Sequence, residues 1–151
     1  MSKVAGIHNK SPETYPSAPG QSNILKTESS VGPGGIALNG STYTSLLGGP
    51  GGGGPVSINV PANTKFVVMF SGVLGSVSPG TTTVQLFQDT IPTVPAFTIQ
   101  VETIGSSEST PFSFVWETPA PLAAGTWTFD VQGKGSSVAV DGSLVVIATS
   151  A

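Results

Sequence analysis

Apolar and polar residues alternate over most of the chain after residue 55, which is the pattern of β-strands that bury one face. In one such run Trp127, Phe129 and Val131 share a face. Pro and Gly separate the runs, and none of them has the 3.6-residue period of a helix. The pattern predicts eight strands, at 56–60, 65–73, 82–88, 97–104, 111–117, 126–133, 136–141 and 143–149. An Asp141-Gly142 turn would join the last two strands as a hairpin.

Eight short strands within residues 56–151 predict an all-β domain. A two-sheet antiparallel sandwich of the jelly-roll type is favoured, and an immunoglobulin-like sandwich is the alternative. Trp116 and Trp127 fall on inward positions beside Phe residues. We therefore expect both indoles in the core rather than stacked on sugar rings.

Two of the predicted strands are apolar on both faces, at Phe66–Phe70 and Leu144–Ile147. In a small sandwich one face of each sheet meets water, so a second apolar face indicates a further buried surface. We favour an interface between copies of the chain, and a covering arm or loop is the alternative. The residues assigned to self-association are Phe66, Val68, Phe70, Leu144 and Val146.

The composition changes sharply near residue 55. Residues 1–55 hold 12 of the 20 Gly, and nine of the eleven aromatic residues follow that point. Residues 48–55 are Gly and Pro alone, and such a stretch is costly to order. The sequence therefore predicts an extended N-terminal arm at 1–47, a Gly/Pro linker at 48–55 and a β-sandwich domain at 56–151.

The predicted arm carries apolar residues at intervals, unlike a charged, solvating tail. It is too rich in Gly to form its own core, so we expect these residues to dock on a partner. An Asn39-Gly40 step within Ile36–Tyr43 predicts a two-residue hairpin. The residues assigned to partner binding are Ile7, Tyr15, Ile24, Leu25, Ile36, Leu38, Tyr43, Leu46 and Leu47.

The charged residues are few and exclude several functions. The chain has five Lys, no Arg and eight acids, with a net charge of −3. This set cannot line a phosphate-tracking groove, so we expect no nucleic-acid partner. No run of 18 apolar residues occurs, and Met1–Lys10 lacks the apolar segment of a signal peptide. We expect no membrane partner and no passage through the secretory route.

Candidate chemistry is sparse. His8 is the only His and there is no Cys, so neither a nucleophilic triad nor a zinc site is expected. Glu102, Glu108 and Glu117 would allow a glycosidase pair in principle, but acids at outward strand positions are usually solvated. The sequence therefore predicts no catalytic residue, no metal and no cofactor.

The last strands resemble those of known trimeric jelly-roll modules. The segments Ala124–Val131 and Val138–Ile147 are similar to the closing strands of the tumour necrosis factor and complement globular-head type. Residues 56–151 as a whole resemble the small β-sandwich accessory proteins of tailed bacteriophages, which are cement or decoration proteins and fibre heads. The resemblance rests on the strand pattern and not on an invariant motif.

This resemblance implies a non-enzymatic structural virion protein. It would be a homotrimer that binds and stabilises the major capsid protein of a phage through its N-terminal arm. It would be made in the host cytoplasm and would reside on the outer capsid surface. The alternative is a fibre-head or adhesin module that binds host glycans, which exposed aromatic side chains in a groove would favour.

Overall fold

The computed structural model describes residues 23–76, 78–89, 91–93, 97–105 and 108–151. Within these residues the chain forms strands and no helix. The strands are β1 Ile24–Val31, β2 Ile36–Ala37, β3 Thr44–Ser45, β4 Val56–Val60, β5 Thr64–Ser76, β6 Gly80–Gln88, β7 Ile91–Pro92, β8 Thr98–Thr103, β9 Glu108–Glu117, β10 Gly125–Lys134 and β11 Val138–Ser150.

The strands form two antiparallel sheets that pack as a sandwich. The first sheet has the order β1-β11-β5-β9, with β2 beside one end of β11. In the second sheet β10 pairs with β4 and β6, and β6 pairs with β8, while the short strands β3 and β7 pair with β10 and β6. The first and last long strands are neighbours, and the chain repeatedly crosses between the sheets, as in a jelly roll. The predicted all-β, jelly-roll-like sandwich is confirmed.

The core lies between the two sheets and follows the strict alternation of each strand. Val56, Ile58 and Val60 on β4 are buried, with the residues between them exposed. The Phe66 and Phe129 rings meet edge-to-face across the core, with centroids 5.0 Å apart. Trp116 is buried there as predicted. Trp127 packs against the core and donates its indole N–H to the Ala123 carbonyl at 3.1 Å.

The predicted hairpin at Asp141-Gly142 is wrong, because Val138–Ser150 is one continuous strand. A type I′ turn needs positive φ at both central residues, and neither of these two has it. Instead the strand pairs with β5 along its whole length, with a register shift between Ala139 and Asp141. Pairing with a distant strand therefore overrides the local turn preference.

The predicted hairpin at Asn39-Gly40 is also wrong. The flanking strands lie in different sheets, since β2 pairs with β11 and β3 pairs with β10. The segment between them crosses from one sheet to the other. Its turn is closed by Asn39, whose Oδ1 accepts hydrogen bonds of 2.8 Å from both the backbone N–H and the hydroxyl of Ser41.

The structure differs from the predicted boundary at residue 55, because residues 23–55 belong to the sandwich. Strand β1 pairs with β11 over Ile24–Val31, and Leu46 and Leu47 lie in the core at 1% and 0% exposure. The Gly/Pro stretch is hydrogen-bonded in place. Gly54 donates to the Leu47 carbonyl at 2.9 Å and accepts from the Ser30 hydroxyl at 2.6 Å. Residues 1–22 lie outside the described residues.

Candidate functional site

The first sheet presents two kinds of apolar residue, because β5 and β11 are apolar on both faces. The five residues assigned to self-association point into the sandwich and are no more than 2% exposed: Phe66, Val68, Phe70, Leu144 and Val146. They cannot contact another molecule in the folded protein. That assignment is therefore wrong, because the packing of the second sheet decides which of the two apolar faces is the core.

The alternate residues form a partly exposed apolar ridge on the outer face of the sheet. We define the ridge as Val67, Met69, Val115, Val145 and Ile147. Val145, Met69 and Val115 are direct neighbours across β11, β5 and β9. Four ridge residues are half-buried, and Val115 is 63% exposed. A monomer gains little from such a surface, and contiguous exposed apolar patches usually mark contacts with other molecules.

Beside the ridge runs a groove floored by small residues. Ser143, Ser71 and Ser113 are the next outward residues along the same three strands. Two adjoining depressions, of about 490 Å³ and 480 Å³, meet at these three serines. We call this the serine groove. Successive outward residues lie about 7 Å apart along a strand, so ridge and groove are immediate neighbours on one surface.

Charged side chains lie only at the ends of the described outer face. At one end the Lys65 Nζ lies 3.6 Å from the Glu117 Oε1. At the other end Asp141 borders the serine groove, and its Oδ1 accepts the Gly142 N–H at 2.8 Å. Between these ends the described outward positions are apolar or carry hydroxyls. This surface therefore favours a partner that also brings an uncharged face.

Both edges of this sheet carry features that oppose strand addition. On the edge strand β1, Lys26 and Glu28 pair in register with the core residues Ala148 and Val146, so they lie on the inward side of the sheet. They form an ion pair of 3.1 Å. Inward charges on an edge strand resist pairing with another chain. The other edge strand, β9, contains Pro111, which has no N–H to donate.

A second polar cluster lies on the other sheet and holds β3 against β10. The Asp130 carboxylate accepts the Ser45 hydroxyl at 2.7 Å and the Gln132 side-chain amide at 2.9 Å. Burial raises the pKa of Asp130 above its usual value, against the opposing effect of these hydrogen bonds. Because Ser45 immediately precedes Leu46 and Leu47, this contact fixes the segment that delivers both Leu side chains to the core.

The residues assigned to the partner-binding arm have several different environments. Ile36 and Leu38 pack against the core, and Tyr43 contacts Phe87 edge-to-face at 5.4 Å. Leu46 and Leu47 are core residues. For these five the assignment is wrong, because the sandwich itself supplies the surface on which they dock.

Two arm residues remain exposed in the described part of the chain. Ile24 and Leu25, at the start of β1, are 70% and 45% exposed. Ile7 and Tyr15 lie outside the described residues, so their predicted role stays a prediction. Sequence reasoning missed the ridge residues. The sequence did contain a signal for them, which is the second set of apolar residues in the doubly apolar strands. Since alternate residues of a strand point to opposite faces, one of the two sets had to lie on the outer face.

The remaining candidate chemistry is dispersed. Glu102, Glu108 and Glu117 are exposed, and His8 lies outside the described residues. Within the described residues, no three His, Cys, Asp or Glu side chains are grouped so as to hold a metal ion. No helix of the described part is long and apolar enough to span a bilayer.

Comparisons with known proteins give no family for this chain. No protein family matches it, and no curated protein matches it significantly. One similar solved structure is the globular domain of zebrafish complement 1qA protein, at 9% identity and a TM-score of 0.49, covering 80% of this chain and 94% of that chain.

Two further structures share a similar arrangement of strands. Dimeric latent PorU from Porphyromonas gingivalis has 13% identity and a TM-score of 0.48, over 83% of this chain and 13% of that chain. The infectious bursal disease virus Gx strain has 16% identity and a TM-score of 0.37, over 82% and 32%. At such low identities and TM-scores these likenesses carry no functional argument.

Proposed function

We propose that this protein is a structural virion component, a homotrimeric cement or decoration protein that binds the major capsid protein on the outer surface of a phage capsid. The observation that carries the proposal is the uncharged, apolar outer face on a chain with so few charges. Such a surface serves assembly, because apolar burial and not ion pairing supplies the free energy of contact. No catalytic step is part of this function.

Contact with the capsid is assigned to residues 1–22 together with Ile24 and Leu25. Ile24 and Leu25 support this assignment, because they are exposed apolar residues that continue directly from that segment. Burying an apolar side chain of this size contributes about 1.5–3 kcal/mol. Three chains in one trimer would add their contacts through a high effective concentration.

The alternative of a glycan-binding fibre head has less support from the described residues. Trp116 is in the core and Trp127 is half-buried against it, so neither indole is fully open to a sugar. Tyr43 has Phe87 at its edge and the Lys134 Nζ 4.7 Å from its ring centroid. An exposed aromatic platform of the kind that sugar binding uses is not formed by these three rings.

The test is co-sedimentation of the purified protein with phage capsids that lack it. We expect the full chain to bind and to stay bound in 1 M NaCl, because apolar contacts are not screened by salt. Deletion of residues 2–22 should leave a folded sandwich that no longer binds. Ile7→Ser with Tyr15→Ser should weaken binding tenfold or more, on the order of 1.4 kcal/mol.

The matched control for that pair is Lys3→Ala with Lys10→Ala, which removes charge from the same segment and leaves its apolar residues. It should bind nearly as the full chain does. If the deleted protein binds as tightly as the full chain, or if salt releases the full chain, the proposed function is wrong.

A further inference from the structure

We propose that the outer face is the contact between copies of this chain, with the apolar ridge of one copy packed into the serine groove of the next. This inference rests on the proposed homotrimer and names the surface that forms it. It replaces the core residues first assigned to self-association by their outward neighbours, with Val115 and Met69 at the centre of the ridge.

The first reason is that the ridge and the groove are complementary features of one surface. The ridge row Val145, Met69 and Val115 stands beside the row of serines and forms one side of the depression of about 480 Å³, while the depression of about 490 Å³ lies beyond the serines. A head-to-tail contact places a projection of one copy in a recess of the next, and it closes into a ring when the rotation allows. A second copy of this chain therefore offers a ridge that can enter the groove of the first.

The second reason is electrostatic. The chain has a net charge of −3, so copies repel one another unless they meet through an uncharged surface. The outer face is such a surface, because Lys65 and Glu117 pair with each other at one end and Asp141 lies at the other. A strongly charged partner would find only the Asp141 carboxylate as a counter-charge on the described part of this face. A second copy brings an equally uncharged face.

The third reason is size. Strands lie about 4.8 Å apart and rise about 3.3 Å per residue, so β1, β11, β5 and β9, with 8, 13, 13 and 10 residues, define a face on the order of 700 Å². A stable interface buries about 800 Å² on each partner. The outer face therefore supplies about one such area in total, and in a ring each copy divides it between the neighbour that its ridge enters and the neighbour whose ridge it receives.

The fourth reason is that the sheet edges oppose the competing mode of association. Lys26 and Glu28 on β1 and Pro111 on β9 disfavour pairing of one sheet with another along its edges. Copies of the chain that meet at this sheet are thereby directed to its outer face. The interface should consist of side-chain contacts and not of added backbone hydrogen bonds.

The experiment compares two substitutions that differ only in position. Val115 is 63% exposed on the ridge, and Ile104 is 65% exposed next to the other sheet. Val115→Lys and Ile104→Lys change the charge equally and disturb the core of the monomer equally little. Sedimentation velocity at micromolar concentration reports the association state against the 15.1 kDa monomer.

We expect the unmodified protein and Ile104→Lys to be trimers, and Val115→Lys to dissociate with a dissociation constant raised on the order of 100-fold or more. Ser113→Trp fills the groove with an apolar ring and should also dissociate the trimer, because the ridge no longer fits. Circular dichroism checks that each variant remains folded.

The inference is overturned if Val115→Lys associates like the unmodified protein, or if Ile104→Lys dissociates as readily as Val115→Lys. Tighter association of Ser113→Trp would refute the fit of ridge into groove. A non-specific apolar face would gain contact area from an added ring, whereas a fitted groove would be blocked by it. A full chain that binds capsids as a 15.1 kDa monomer overturns this inference and leaves the capsid function standing. A trimer that fails to bind capsids supports this inference and overturns the capsid function.

Discussion

Replacing Leu47 with Ala is expected to destabilise the fold, although the sequence pattern assigns Leu47 to a partner-binding arm. In the structure Leu47 is 0% exposed and belongs to the core between the sheets. Its backbone N–H is held by the Ser45 hydroxyl at 3.2 Å, and its carbonyl accepts the Gly54 N–H at 2.9 Å. The segment is therefore fixed on both sides of the buried side chain and cannot easily collapse into a cavity.

The magnitude follows from the buried atoms. Leu→Ala removes three carbon groups, which is about 2.4 kcal/mol at about 0.8 kcal/mol for each. The cavity left behind adds to this loss, and buried Leu→Ala changes cost about 2–5 kcal/mol. We expect about 3 kcal/mol for Leu47→Ala. For a protein of this size that lowers the melting temperature by roughly 6–12 °C.

The assay is urea unfolding followed by tryptophan fluorescence, since Trp116 lies in the core, together with a thermal melt. All variants are measured at one protein concentration, because association raises apparent stability. The matched control is Leu25→Ala, the same change at a residue that is 45% exposed on β1. It should alter the free energy of unfolding by no more than about 0.5 kcal/mol.

Equal stability of Leu47→Ala and Leu25→Ala would refute the reasoning. That result would mean that Leu47 does not lie in the core, and that residues 23–55 behave as a separable arm. A loss of stability in Leu47→Ala alone would show that truncation through residue 47 removes part of the fold. Deletion of residues 1–50 would then unfold the sandwich, and capsid binding could not be interpreted from it.

Two further predictions concern Asp130 and the edge strand β1. Burial raises the pKa of Asp130 in the folded protein. Protonated Asp130 therefore contributes to the free energy of unfolding below about pH 4, and this contribution is lost as the pH rises through the raised pKa. Asp130→Asn should therefore be stabilised relative to the unmodified protein at pH 7 more than at pH 4, measured as urea midpoints; an equal difference at both pH values contradicts this. Lys26→Val with Glu28→Val should expose an unprotected edge and increase aggregation, measured by light scattering. Lys26→Glu with Glu28→Lys keeps both charges and serves as its control, and equal aggregation of the two variants would show that the edge needs no protection.

The amino-acid sequence by itself determines the class of this fold. The two-residue alternation of β4, β9 and β10 places Ile58, Trp116 and Phe129 inside, because side chains of a strand point alternately to opposite faces. Gly and Pro between the runs mark where most strands end. An all-β sandwich and a chain without dense charge follow from these local features alone.

Only the tertiary structure decides which apolar face is the core. In Phe66–Phe70 and Leu144–Ile147 both faces are apolar, so alternation separates the residues into two sets without saying which set faces the other sheet. The tertiary structure also decides that Asp141-Gly142 lies within a strand and not in a turn, because pairing with β5 outweighs the local preference for a turn. These outcomes depend on strands that are distant in the sequence, and no local pattern contains them.

The first strand is the clearest case of a feature invisible to local pattern. Its inward positions are Lys26, Glu28 and Ser30, and its outward residues include the exposed Leu25 and Val31. An edge strand is half outside the core, so its alternation need not be apolar. Leu46 and Leu47, in a stretch rich in Gly, likewise become core only because two sheets close around them.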